Sequence, residues 1–232
     1  MDDGGLRPGM AMALDMDGVI VDSNPWHVKA WMLYNRRFGI DAGEVRMERM
    51  YGRRNDEIVR DFFGPQLSAQ EVAAHGAAKE ELYREMLKPM LADKLEEALV
   101  PGVREFLHRH RAEPIALATN AEPANVDFIL DRGGLRAYFR AVVNGHQVQH
   151  PKPHPEIYLR AAALLSVAPG NCIVFEDSFS GVAAARAAGA RIVGVRTTHA
   201  ELPGADLEID DFGGPQAGQL EAWLRAQVPG TS

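Results

Sequence analysis

A single cysteine, Cys172, is the whole thiol complement of this 232-residue chain, so no internal disulfide can form. That fits a reducing compartment. The thiol sits in the apolar run Cys172-Ile173-Val174-Phe175, which predicts a buried, inert group. No apolar run approaches the ~20 residues needed for a membrane span. The start, Asp2-Asp3-Gly4-Gly5, has neither the basic residues nor the apolar stretch of a signal peptide. Positive charge is in deficit, with 25 Lys and Arg against 32 Asp and Glu, a net charge of −7. This excludes a general attraction to nucleic acid or to an anionic membrane. It also repels phosphorylated substrates at long range, so a phosphate site here must bring its own cations. Internal repeats and low-complexity blocks are missing too. The expectation is a cytoplasmic monomer.

What is present suffices for a packed core: 46% of residues are hydrophobic and 25% charged. The length allows one domain, or one domain carrying an insert. Residues 1–10 are rich in Gly and Pro and are expected to be loose. A short apolar strand, Ala11 to Met16, runs into Asp17-Gly18. From Ser23 the pattern turns helical. Asn24-Pro25 offers a cap with proline in the first turn, Gly39 closes the helix, and His27, Trp31, Tyr34 and Phe38 share one stripe. Helices are also predicted near Asp56–Phe63 and Ala69–Met90, and no strand pattern occurs between Ser23 and Leu99. After Pro101-Gly102 strands and helices alternate, with strands at Pro114–Ala118, Ala141–Val143, Cys172–Phe175 and Arg191–Val195 and an edge candidate at Ala205–Ile209. Alternation of this kind means an α/β fold, a doubly wound parallel sheet with helices on both faces. The all-helical block reads as an insert, giving a core of residues 1–22 and 99–232 and a cap of 23–98.

In such sheets functional residues gather at the carboxyl ends of the strands. Those ends carry Asp15-Met16-Asp17, Thr119-Asn120, a loop with Lys152, and Glu176-Asp177. Four carboxylates in one crevice repel one another unless a cation lies between them. An all-oxygen donor set suits a hard divalent ion, and magnesium is the economical choice. Asp15 and Asp17 are two apart in an extended segment, so both reach the same space. One can act as nucleophile while the other moves a proton. Lys152 lies in His150-Pro151-Lys152-Pro153-His154-Pro155, where flanking prolines predict an extended, preorganised cation.

These four segments, Asp15-Met16-Asp17-Gly18-Val19, Thr119-Asn120, Lys152-Pro153 and Glu176-Asp177-Ser178-Phe179-Ser180-Gly181, resemble the ordered motifs of the haloacid dehalogenase superfamily. The likeness runs from about Leu14 to Arg196 and is nearest to the β-phosphoglucomutase-like phosphatases. It implies a Rossmann-like core with a helical cap, and a magnesium-dependent phosphatase of a small phosphorylated metabolite, a sugar or polyol phosphate. It implies that Asp15 becomes an aspartyl-phosphate, that Asp17 serves as general acid and base, and that Thr119 and Lys152 hold the phosphoryl group. Magnesium would be held by Asp15, the backbone carbonyl of Asp17, Glu176 and Asp177.

The resemblance also puts Asn120, His27, Asn55 and Lys79 on the substrate side. The residues alone read differently: His27 as packed beside Trp31, and Lys79-Glu80-Glu81 as a solvated helix face. Asn55 stands where the resembling mutases have an arginine that grips a second phosphate, with Arg53 and Arg54 as neighbours that could compensate. Asn120-Ala121-Glu122-Pro123 departs from the mutase pattern as well. Both departures favour water as acceptor. A hexose-phosphate mutase is the alternative enzyme, and a phosphate-accepting binding module the non-enzyme alternative.

Overall fold

A computed structural model describes residues 5–41 and 53–230. Six strands form one sheet in the order β3-β2-β1-β4-β5-β6, with every neighbouring pair parallel. They are β1 (Ala11–Leu14), β2 (Ile115–Ala118), β3 (Ala141–Val143), β4 (Cys172–Glu176), β5 (Arg191–Val195) and β6 (Leu207–Ile209). The described helices are α1 (Asn24–Arg36), α2 (Asn55–Phe63), α3 (Ala69–Asp93), α4 (Leu95–Ala98), α5 (Val103–Arg109), α6 (Pro123–Arg132), α7 (Glu156–Leu164), α8 (Phe179–Ala187) and α9 (Gly214–Ala226).

Side-chain alternation along the central strands decides how the layers pack. Met12, Leu14, Ile115 and Leu117 face one side, against Phe106 and Leu107 of α5, Ile129 of α6 and Leu224 of α9. Ala11, Ala13, Ala116 and Ala118 face the other, where small residues allow close approach of Ile157 and Ala161 of α7 and Val182 and Ala185 of α8. Cys172 lies in this second layer, and burial pushes its thiol up to about 12, as expected of an inert group. Strand order reverses around β1, with β2 on one flank and β4 on the other. A crevice opens at such a switch point beyond the strand ends.

All the named strands lie outside residues 23–98, and an isolated antiparallel bridge between Val21 and Leu99 joins the two chain crossings at the junction. Ser68 opens α3 with a reciprocal cap: its Oγ accepts from the Glu71 N–H, and the Glu71 carboxylate accepts from the Ser68 N–H at 2.8 Å. Trp31, Tyr34, Ile58, Val59 and Val72 build a helical core of their own. The second half of α3 joins the main core through Tyr83, Leu87 and Leu91.

Three expectations need correction. The segment from Gly5 is not loose: Leu6 is buried and its N–H donates to Glu113 Oε1 at 2.9 Å. The aromatic stripe is not buried to its end: Phe38, beyond the last residue of α1, packs on Tyr34 and Phe63 with ring centroids 5.3 and 5.1 Å away yet is 51% exposed. Pro151 to His154 is a turn closed by His154 N–H to the Pro151 carbonyl at 2.9 Å, not an extended run.

No helix among the described residues is long and apolar enough to cross a membrane.

Candidate active site

Asp15 and Asp17 follow β1 directly, and the Asp15 N–H still bonds the Phe175 carbonyl of β4 at 3.1 Å. The chain must then turn away within one residue. Gly18 does so at φ +78°, where a side chain is strained and a Cβ would overlap the Asp177 carboxylate. Gly181 plays the matching part after β4, since a Cβ there would overlap the Glu176 carboxylate.

Lys152 occupies the centre of the floor. Its ammonium donates to Asp15 Oδ1 at 2.9 Å, the Ala118 carbonyl at 3.0 Å and Glu176 Oε1 at 2.5 Å, which uses all three protons. Burial alone would lower its pKa, but Asp15 and Glu176 outweigh that and raise it. The turn that carries it is fastened from α7, where Glu156 accepts from the N–H groups of Gln149 and His150. The Lys152 N–H itself donates to Asn120 Oδ1 at 3.3 Å. Thr119, buried at the end of β2, accepts from the Ala121 N–H at 3.1 Å, which leaves its hydroxyl proton free to be donated.

Glu176 is the most heavily bonded carboxylate. Oε1 also accepts from the Tyr158 hydroxyl, and Oε2 accepts from the Asp177 N–H and from both the N–H and the hydroxyl of Ser178. Ligand oxygens of Asp15, Glu176 and Asp177 lie within 4.8 Å of one another, and all three residues are buried. Burial pushes Asp15 up to about 7 despite Lys152, with Glu176 and Asp17 adding to the rise. Burial, then Glu176 and Asp15, push Asp177 well above the usual carboxylate range, although Thr198 and Lys152 oppose them. One lysine does not balance three buried carboxylates. An all-oxygen cluster with surplus negative charge fits a hard divalent cation.

The opposite wall comes from the helices. Ser23 Oγ donates to Asp17 Oδ1 at 2.5 Å, and His27 Nε2 lies 3.4 Å from the same oxygen. Burial would raise Asp17, but the bonds from His27 and Ser23 hold it below its ordinary value. The Lys79 ammonium contacts His27 Nδ1 at 2.6 Å, which makes Nδ1 an acceptor and puts the ring proton on Nε2, towards Asp17. His27 stacks on Tyr83 with centroids 3.8 Å apart, not on Trp31. Lys79 and Glu80 are buried, so the expected solvated face is wrong for both. Asn55, at the start of α2, donates to Glu80 Oε1 at 2.6 Å.

Of the residues expected at the site, Asp15, Asp17, His27, Asn55, Lys79, Thr119, Asn120, Lys152 and Asp177 border one pocket, and Glu176 does not line it but lies directly behind Lys152. Sequence reasoning missed several partners. Ser23 and Asn24 were read as helix-start residues, yet the Ser23 hydroxyl serves Asp17 and the Asn24 amide donates to Asp177 at 3.1 Å and Thr198 at 2.6 Å. Glu80 carried a signal only in its adjacency to Lys79. Asn125, which donates to Glu80 Oε2 at 2.8 Å, and Arg84, which donates to Glu122 at 2.6 Å and Asn125 at 2.8 Å, carried none.

Comparison with known proteins places this geometry. A family described as haloacid dehalogenase-like hydrolase matches residues 10–189. Fructose-1-phosphate phosphatase YqaB of Escherichia coli (strain K12) is 35% identical over 185 residues, covering 80% of this chain and 95% of that protein. The β-phosphoglucomutase of Bacillus subtilis (strain 168) is 32% identical over 204 residues, covering 86% and 88%. The crystal structure of β-phosphoglucomutase from Clostridium difficile superposes with a TM-score of 0.79 at 25% identity, over 91% of this chain and 96% of that one. On its sequence, its sheet and its ordered strand-end motifs, this chain belongs to the haloacid dehalogenase-like hydrolases.

Proposed function

We propose that the protein is a magnesium-dependent phosphatase that moves the phosphoryl group of a sugar or polyol phosphate first to Asp15 and then to water. The observation that carries the reading is the Lys152 ammonium, bonded to Asp15 Oδ1 beside Thr119 at the floor of a pocket roofed by α1, α2 and α3. The named activities of two relatives, a sugar-phosphate phosphatase and a hexose-phosphate mutase, both involve phosphoryl groups on sugars.

In this reading the anionic phosphoryl group entering beside Asp17 raises its pKa and lets it take up a proton, against the His27 and Ser23 bonds that keep it ionised in the empty site. Asp15 then forms an O–P bond as the P–O bond to the sugar breaks, and Asp17 gives that proton to the departing oxygen. Asp17 then takes a proton from water as that water attacks phosphorus, releasing inorganic phosphate and restoring Asp15. Thr119 donates its hydroxyl proton to a phosphoryl oxygen, and Lys152 bridges Asp15 and the transferred group. Asp15, the Asp17 carbonyl, Glu176 and Asp177 would hold magnesium, which offsets charge on the phosphoryl oxygens when bound. Charge stabilisation must carry much of the work, since one general acid supplies only ~10²–10⁴ of a rate gain that can reach ~10²¹. Residues 23–98 act as the lid that excludes bulk water and shapes the substrate end.

A panel of phosphorylated sugars, polyols and carboxylic acids, assayed for released phosphate with magnesium, tests the reading. Release from sugar or polyol phosphates is expected. Folded, magnesium-supplied protein that releases phosphate from none of them would sink it.

A further inference from the structure

Glu80 is a buried carboxylate in a pocket that receives anions, and the mechanism gives it no part. It is 3% exposed, on α3 beside Lys79, which is 1% exposed. Its Oε1 accepts from the Lys79 ammonium at 2.9 Å and from Asn55 Nδ2 at 2.6 Å, and its Oε2 accepts from Asn125 Nδ2 at 2.8 Å. Burial would raise its pKa, but the Lys79 ammonium and the hydrogen bonds from Lys79 and Asn125 outweigh that and hold it at about 2, so it is ionised at neutral pH.

Lys79 is the buried cation at the roof, and Glu80 neutralises it. The other described cations at the roof are matched in the same way. Arg53 pairs with Glu57 at 3.0 Å and Asp61 at 2.6 Å, and Arg54 lies 3.4 Å from Asp56. Lys79, Arg53 and Arg54 thus face the carboxylates of Glu80, Glu57, Asp61 and Asp56. The pocket is strongly polarised. Its floor holds Lys152 and a cluster suited to a metal, whereas its roof carries no surplus positive charge among the described residues. A second phosphoryl group pushed towards the roof would leave water and find the cations there already matched by carboxylates, Glu80 holding Lys79, which costs affinity steeply. Sugar hydroxyls donate to carboxylate and amide oxygens and pay no such penalty.

We propose that Glu80 determines specificity: it makes the roof a subsite for the uncharged, hydroxylated end of a sugar or polyol monophosphate and turns away bisphosphates. This rests on the reading of the protein as a sugar or polyol phosphatase. Glu80→Gln keeps shape and hydrogen-bonding reach, removes the charge and leaves Lys79 unbalanced. A residue that only braced the roof would affect all substrates alike.

The test compares kcat/KM for fructose 1-phosphate with fructose 1,6-bisphosphate, and for glucose 6-phosphate with glucose 1,6-bisphosphate. Wild-type protein should favour each monophosphate by about tenfold or more. Glu80→Gln, checked by thermal melting, should shrink that preference by about tenfold, mainly through KM for the bisphosphate. Glu80→Asp keeps the charge and should keep the preference even if it is slower. Should Glu80→Gln fail to fold, inhibition of wild-type and Glu80→Asp protein by each bisphosphate decides, and weak inhibition is expected. A wild-type enzyme that takes bisphosphates as readily as monophosphates, or a folded Glu80→Gln with unchanged preference, overturns the role of Glu80 alone. Release of phosphate from none of these four and none of the wider sugar and polyol phosphate panel overturns the sugar-phosphatase reading together with it; where another monophosphate of that panel is the substrate, it and its bisphosphate replace these pairs.

Discussion

The Ser23 hydroxyl donates a 2.5 Å hydrogen bond to Asp17 Oδ1 from the last residue before α1, so the helix that roofs the pocket also fixes the carboxylate assigned to proton transfer. Asp17 needs that support because it lies on a turn, with 22% of its side chain exposed. Charge-assisted bonds of this kind contribute roughly 1.5–3 kcal/mol. Ser23→Ala should therefore lower kcat by about tenfold or more while KM moves little, since the hydroxyl positions Asp17 and not substrate. Steady-state kinetics on a sugar monophosphate provides the check, and an unchanged kcat would deny Ser23 this role.

Three buried carboxylates around one lysine predict how the protein responds to metal. Magnesium should raise the melting temperature, because an ion that binds only the folded state stabilises it by mass action. Chelator should abolish phosphate release, and magnesium should restore it. Asp177→Asn removes one of the mutually repelling charges, so without metal it should melt no lower than wild type. The same variant should be inactive and should lose its thermal response to magnesium. A melting temperature indifferent to magnesium in wild-type protein would contradict the assignment of Asp15, Glu176 and Asp177.

Glu80 gives a pH signature of stability with a definite sign. Its folded pKa of about 2 lies below the ordinary glutamate value, so near pH 4 the unfolded chain binds more protons. The stabilisation is present above the unfolded pKa of ~4.3 and is lost as pH falls towards 2. Denaturant titrations of wild type and Glu80→Gln should differ by a few kcal/mol at pH 7 and converge as pH drops through that window. A gap independent of pH would mean that the charge of Glu80 is not what its neighbours stabilise.

Arg84 on α3 reaches Glu122 at 2.6 Å and Asn125 at 2.8 Å, tying the roof to the start of α6. Arg84→Leu should loosen that tie and raise KM by severalfold, with a smaller change in kcat. A fall in kcat alone would place Arg84 in the chemistry and not in the fit of roof to floor.

The sheet was legible because its strands are short apolar runs between helical stretches, and a parallel sheet obeys the strand-end rule. Asp15, Thr119, Lys152 and Glu176 could be brought together on that rule alone. Side chains that cross between helix and sheet were not legible. Ser23 and Asn24 have the composition of a helix start, and nothing local says that their polar groups turn towards Asp17 and Asp177. Lys79-Glu80-Glu81 reads as a charged, solvated run because burial of Lys79 and Glu80 depends on Asn125, 45 residues beyond Glu80. The turn at Lys152 escaped for a related reason: it is fastened by Glu156 from α7, which follows the prolines.

The account stands on covalent transfer to Asp15, and trapping that bond tests it most directly. Enzyme quenched in acid during turnover with a sugar monophosphate and magnesium, then reduced with borohydride, should carry homoserine in place of aspartate at position 15, read by peptide mass. The label should need both substrate and magnesium, and Asp15→Asn should be folded, unlabelled and inactive. A wild-type enzyme that releases phosphate yet yields its reduced aspartyl-phosphate at another residue, together with an Asp15→Asn protein that still turns over, would contradict it.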